Sequence, residues 1–266
     1  MRILSKDAPI GFFDSGVGGL TVLKQVKNIL PSESFIFFGD TLHVPYGEKS
    51  KDELLSYSKD ILKFFENKKV KAVVMACNTT SSVIYEDVKD KYDFKLYPLV
   101  QSCAKVFSGL NVNTLGVFAT KATINSKAYD REIAKYNSKI KVVGHHCNEW
   151  VKIVENGTIH ESENIKIVKN DLDELLKYNP DKIILGCTHY PYLLEVLSKF
   201  LPSDNFIDPA KIFADFIKND LSENNLLSES NERFEEFYVS SNPQGFKNSA
   251  KMFYDLPSEP QLLLPV

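Results

Sequence analysis

Cys77-Asn78-Thr79-Thr80 and Cys187-Thr188-His189-Tyr190 each place a thiol directly after an apolar, strand-like run. A cysteine taken alone is usually a small buried hydrophobe. Two of them in equivalent settings, each followed by short polar side chains able to cap a helix and to bind a carboxylate or amine, point to acid/base chemistry on a bound ligand. An unperturbed thiol with a pKa of roughly 8.5 is only a few per cent ionised near neutrality, so the surroundings must help it. Two such groups facing one ligand could move a proton on and off carbon.

Other segments add polar groups to the same picture. Phe12-Phe13-Asp14-Ser15-Gly16-Val17-Gly18-Gly19 puts an acid and a hydroxyl just past an apolar strand, with glycines that permit a tight turn and close approach to a ligand. It is not a dinucleotide fingerprint, because Thr21 occupies the third glycine position, and no Walker lysine follows. Gly39-Asp40-Thr41 and Pro45-Tyr46-Gly47 fall on a loop after a second strand, where binding residues concentrate. His145-His146-Cys147 raises zinc, but no second closely spaced Cys/His pair and no HExxH accompany it, so no metal is expected. Glu155, in VKIVENG, reads by itself as a solvated helix residue.

These motifs need strands and helices to hold them. Apolar runs at Ile10–Phe13, Ser34–Phe38, Ala72–Ala76, Leu96–Pro98, Leu115–Ala119, Lys141–Val143 and Lys182–Leu185 predict strands. Helices are predicted to begin near Gly19, Lys51, Ala122, Asn164 and Tyr192, and the polar stretch Lys218–Arg233 to include a loop. Strand–helix alternation of this kind predicts an α/β fold with mainly parallel sheets. PIGFFDSGVGGLTV resembles TLGVFATKATINS, and VKAVVMACNTTS resembles DKIILGCTHYPY. Asp14 precedes Cys77 by about 63 residues and Thr120 precedes Cys187 by about 67, which suggests duplicated α/β units facing each other across a cleft. Each thiol then stands at the carboxyl end of its strand, where open α/β sheets bind ligands and unpaired helix N–H groups favour anions.

Composition narrows the classes. The 266 residues carry a net charge of −3, with 43% hydrophobic and 25% charged residues, which is ordinary for a globular chain of one or two domains. Lys and Arg are scattered without a basic stripe, so nucleic acid is not an expected partner. No apolar run approaches the ~20 residues of a membrane span, and the opening MRILSKDAPIGFF does not read as a signal peptide. Four widely spaced cysteines, Cys77, Cys103, Cys147 and Cys187, suit a reducing, cytoplasmic compartment better than a disulfide scaffold, and Cys103 reads as structural.

FDSGVGGL, GDT…PYG, ACNT and GCTHYP occur in the order and spacing of glutamate racemases, of the cofactor-independent aspartate/glutamate racemase superfamily, and the chain resembles that family from about Ile10 to Pro209. FIDPA around Asp208 and the ATxxT that holds Thr120 and Thr123 agree with it. The resemblance implies that Cys77 and Cys187 are the two proton donors and acceptors, with Cys77 acting on D-glutamate and Cys187 on L-glutamate. It implies substrate-binding positions at Asp14, Ser15, Tyr46, Gly47, Asn78, Thr79, Thr120, Thr123, Thr188 and His189. Asp14 and His189 would also tune the thiols, with Asp40 and Glu155 as more distant assistants. No cofactor is implied, so carbanion stabilisation falls to fixed dipoles and hydrogen bonds.

The same resemblance implies two pseudo-symmetric α/β domains with mainly parallel sheets and the active site in the cleft between them. Residues 1–98 with 210–266 form the Cys77 side, and 99–209 the Cys187 side. It further implies a homodimer in many members and a role in supplying D-glutamate for peptidoglycan, hence in cell-wall biogenesis and cell shape. One departure stands before Glu155: the family usually has Cys-Pro where this chain has Cys147-Asn148, which bears on the turn that aims Glu155. The longer N-terminal extension of members activated by a cell-wall precursor is not matched. The rival readings are a thiol hydrolase or lyase with one covalent cysteine, a non-catalytic amino-acid-binding protein, and, nearest, an aspartate racemase.

Overall fold

The computed structural model describes residues 5–264; the opening MRIL and the last two residues of the 210–266 segment lie outside them. In chain order the strands are β1 (Ile10–Asp14), β2 (Phe35–Gly39), β3 (Ala72–Met75), β4 (Lys95–Pro98), β5 (Thr114–Ala119), β6 (Lys141–His146), β7 (Lys182–Gly186), β8 (Phe206–Ile207), β9 (Glu235–Val239) and β10 (Gln261–Leu262). They form two sheets, ordered β10-β9-β2-β1-β3-β4 and β6-β5-β7-β8. Every pairing is parallel. The runs IGFFD, FIFFG and AVVM show no polar alternation because helices and the second core face cover both sides of these central strands.

The two sheets repeat one arrangement. Within each half the first strand is central, the second lies on one side, the third on the other, and the fourth beyond the third. The internal repeat read from the sequence is therefore a repeat of topology: β1 corresponds to β5 and β3 to β7. Each motif falls at the carboxyl end of its strand, with Asp14 closing β1, Asp40 after β2, Cys77 just past β3, Thr120 after β5, Cys147 after β6 and Cys187 after β7.

Helix starts follow local chemistry. Ser50 accepts from the Glu53 N–H while the Glu53 carboxylate accepts from the Ser50 N–H, a reciprocal cap that starts the Lys51–Asn67 helix. Thr120 caps Lys121–Ser126 through the Thr123 N–H, and Asp208 with Pro209 opens Pro209–Glu223. The stretch Lys218–Arg233 includes the expected loop: its first six residues complete this helix, and the remainder is irregular. The helix packs against Leu20–Ile29 and returns the chain to the first sheet, whose edge β9 and β10 then extend. No described helix is long and apolar enough to cross a membrane.

At the amino ends of the strands, away from the motifs, Lys71 and Glu33 form a buried ion pair at 2.5 Å. The Lys71 ammonium also donates to the carbonyls of Lys6 and Leu226, and Glu33 accepts from the Ser228 N–H. One buried pair thus ties the start of the described chain to the loop before β9.

Candidate active site

A cavity of about 760 Å³ opens at the carboxyl ends of both sheets. Cys77, Asn78, Thr79, Ser15, Tyr46 and Gly47 line it from the first half; Thr120, Cys187, Thr188, His189 and Glu155 line it from the second. Both thiols reach it while remaining nearly buried, Cys77 at 6% exposure and Cys187 at 8%. The halves touch closely beside it. A side chain at Gly18 would lie 2.3 Å from Thr188 Oγ1 and 2.5 Å from the His189 ring, so only glycine lets that loop approach. Gly47 meets Thr120 in the same way, its absent Cβ falling 2.8 Å from Thr120 Cβ.

The two thiols have different charged neighbours. Cys187 Sγ lies 3.8 Å from His189 Nδ1, and His189 Nε2 lies 2.9 Å from Glu155 Oε1. Burial works against the imidazolium, but the hydrogen bonds to Cys187 and Glu155 outweigh it and raise His189 to about 10. Cys77 has Asp14 instead. Burial pushes the Cys77 thiol up to about 12, Asp14 adds to the rise, and the N–H groups of Thr80 and Thr79 oppose it. Asp14 is itself fully buried. Burial lifts its carboxyl to about 6, against the pull of the Gly16 N–H donated to Oδ1 at 3.0 Å. Its Oδ2 has no partner among the described residues.

Asn78 shows how the wall is oriented. Tyr129 OH donates to Asn78 Oδ1 at 2.7 Å, which turns the amide nitrogen away as a buried donor without a partner among the described residues. Thr79 Oγ1 lies 2.9 Å from Thr120 Oγ1, which lies 3.0 Å from Thr123 Oγ1, so three hydroxyls from both halves meet. Tyr46 OH donates to Asp40, which also accepts from Ser240 Oγ at 2.6 Å and from His43 Nδ1 at 2.8 Å. His43 stacks on Tyr57 with ring centroids 3.8 Å apart.

Most of the residues singled out in the sequence therefore converge, with three exceptions. Asp14 lies behind the wall, pressed against Gly19, rather than on the cavity surface; Thr123 stands behind Thr120; Asp40 reaches the cavity only through Tyr46. Glu155, expected at a distance and after an altered turn, lines the cavity and meets His189 directly. His145 and Cys147 do come together, with Asp171 as a third group, within 4.8 Å of one another. Two of the three are already paired: His145 Nε2 lies 2.8 Å from Asp171, which also accepts from Trp150 Nε1 at 2.7 Å. Tyr129, and Phe253, whose ring packs against His189 with centroids 5.7 Å apart, carry no local sequence signal. Only tertiary structure brings them in.

Two thiols from equivalent strand ends of an α/β fold, each with its own ionisable neighbour, thus open on one cavity. The family model described as Asp/Glu/Hydantoin racemase matches residues 19–217. Glutamate racemase 2 of Caldanaerobacter subterraneus subsp. tengcongensis is 40% identical over 248 residues, which is 92% of either chain. The crystal structure of glutamate racemase from Francisella tularensis in complex with D-glutamate superposes with a TM-score of 0.87 at 35% identity, over 97% of this chain and 98% of that one. Glutamate racemase isoform RacE1 from Bacillus anthracis gives a TM-score of 0.93 at 29% identity, over 98% and 99%. The chain belongs to the Asp/Glu/hydantoin racemase family and is a racemase.

Proposed function

We propose that the chain interconverts L- and D-glutamate without a cofactor, with Cys77 and Cys187 as alternating acid and base. The observation that carries this reading is the arrival of two thiols, one from each half, in a single cavity. Glutamate as substrate is supported by relatives that bear that activity in their names and by the D-glutamate bound in the Francisella protein.

One thiolate removes the α-proton and the opposite thiol returns a proton to the other face. A carbon acid is much weaker than a thiol, and each pK unit of mismatch costs about 1.36 kcal/mol. Fixed donors around the α-carboxylate must supply that gap, and the unpartnered Asn78 amide, Thr79 and Thr188 suit the task. Ser15, Tyr46, Gly47 and Thr120 complete the substrate contacts. Asp14 and His189 set the charge beside Cys77 and Cys187 respectively, Asp40 holds Tyr46, and Thr123 holds Thr120. Residues 1–98 with 210–266 form the Cys77 domain and 99–209 the Cys187 domain. Support comes from the Pro209–Glu223 helix and from β9, which rejoin the first sheet.

Chiral chromatography of L-glutamate, D-glutamate and L-aspartate, each incubated with EDTA-dialysed protein and no added cofactor, tests the activity. Both glutamate enantiomers should approach a 1:1 mixture while aspartate turns over far more slowly. Activity lost on dialysis and restored by zinc contradicts the cofactor-free mechanism. The cellular role, cytoplasmic supply of D-glutamate for peptidoglycan, predicts that a deletion strain lacking other sources requires D-glutamate.

A further inference from the structure

We infer that Cys187, and not Cys77, is the reactive nucleophile of the ligand-free protein, and so the site at which a small electrophile modifies the chain. The inference rests on the two-thiol reading of the cavity but not on glutamate being the substrate.

Access does not separate the two thiols, since both line the cavity at nearly equal exposure. What separates them is where a proton can go. The Glu155 carboxylate faces His189 Nε2 at 2.9 Å and Cys187 Sγ lies 3.8 Å from Nδ1, so a proton on either ring nitrogen has a partner and the imidazolium can hold the proton that Cys187 gives up. Sulfur, imidazole and carboxylate thus stand in the order of a nucleophile, its base and the group that orients the base. The ring cannot swing away easily: the Gly18 backbone is against it on one side and Phe253 packs edge-on against it. Cys77 has no cationic partner among the described residues and has the buried Asp14 carboxyl beside it, which opposes a second negative charge.

The other titratable groups near enough to feel charge on Cys187 are Cys77, Cys147, Tyr129 and Tyr190, and none of them is a cation in either protonation state. His189 is therefore the group that can take the proton. Cys103 is fully buried and outside the cavity wall. Cys147 lines the cavity, but the His145 near it is already engaged with Asp171.

With a neutral haloacetamide the step balances simply. Sulfur of Cys187 bonds to the methylene carbon, iodide leaves with the C–I electron pair, and the proton that Cys187 gave up stays on the His189 imidazolium. The test is timed iodoacetamide labelling of the intact ligand-free protein at pH 7, with peptide mapping of all four cysteines. Cys187 should label at least tenfold faster than Cys77. Glu155→Gln should slow Cys187 severalfold and leave the Cys77 rate unchanged. His189→Asn should slow Cys187 further; if that variant does not fold, the Glu155→Gln and wild-type rates decide alone. Equal rates, a faster Cys77, or no labelling of either thiol overturns the inference. Assaying glutamate conversion in the same preparations keeps the two readings apart. Conversion with Cys77 labelled first refutes this inference alone, and Cys187 labelled first without conversion refutes the proposed activity alone.

Discussion

Asp14 illustrates how burying one carboxyl can weigh on folding. In the unfolded chain its carboxyl releases a proton near 3.8, whereas burial in the folded protein holds the proton to about 6. Between those values the folded state binds more protons than the unfolded state, so stability falls as pH rises through this window. Above it, the ionised and fully buried carboxylate costs about 3 kcal/mol. Asp14→Asn removes the titration. It should melt several degrees above the wild type at pH 8, lose that advantage near pH 4, and lower kcat by at least tenfold. A melting-temperature difference independent of pH contradicts this account of Asp14. His189 shifts in the opposite sense for its charge type. Raised from 6.5 to about 10 by Cys187 and Glu155 against burial, it contributes stability that is complete below pH 6.5 and is lost towards pH 10. His189→Asn should therefore destabilise the protein more at pH 6 than at pH 10, as read by denaturant titration at the two pH values.

At the scale of elements, the loop between β1 and the Leu20–Ile29 helix does the most to bring the halves together. A methyl at Gly18 would fall on Thr188 and His189. Gly18→Ala should thus push the imidazole off Cys187 and lower kcat/KM about 100-fold, the order of loss that follows a displacement of about 1 Å in an active site. Unchanged kinetics in this variant would mean that the loop does not set the position of His189. The central strands were readable because each is a continuous apolar run between turn residues, and the motifs at their ends placed both thiols and the polar residues beside them in the cavity wall. β8 and β10, with two residues each, are too short for any period to show. β9 opens with Glu235 and Glu236, which engage Lys27 and Lys68, so its polar start hid the strand that lies between β2 and β10. Glu155 was obscured for a related reason. Its reach to His189 depends on how the Trp150–Glu155 helix is seated, not on the residues beside it.

At the scale of the molecule, stability and chemistry are placed at opposite ends of the strands. The Lys71–Glu33 pair lies at the amino end of β3, and Cys77 lies past its carboxyl end. Removing one partner of a buried pair leaves an uncompensated charge and costs about 3–5 kcal/mol. Glu33→Gln should therefore lower the unfolding free energy by a loss of that order while kcat and KM per folded molecule stay near wild type. A large kinetic change without a stability change contradicts the separation. The duplicated β2-β1-β3-β4 and β6-β5-β7-β8 arrangements are what deliver one thiol from each half to the shared cavity, and the central claim is that these two thiols serve opposite faces of the α-carbon. The most direct test is to start from each pure glutamate enantiomer in deuterium oxide and to follow deuterium at Cα by mass spectrometry after chiral separation, at early conversion. With two bases the product enantiomer carries deuterium from its first appearance, while the recovered substrate carries almost none. Deuterium entering substrate and product at equal rates contradicts the account and requires a single mobile base.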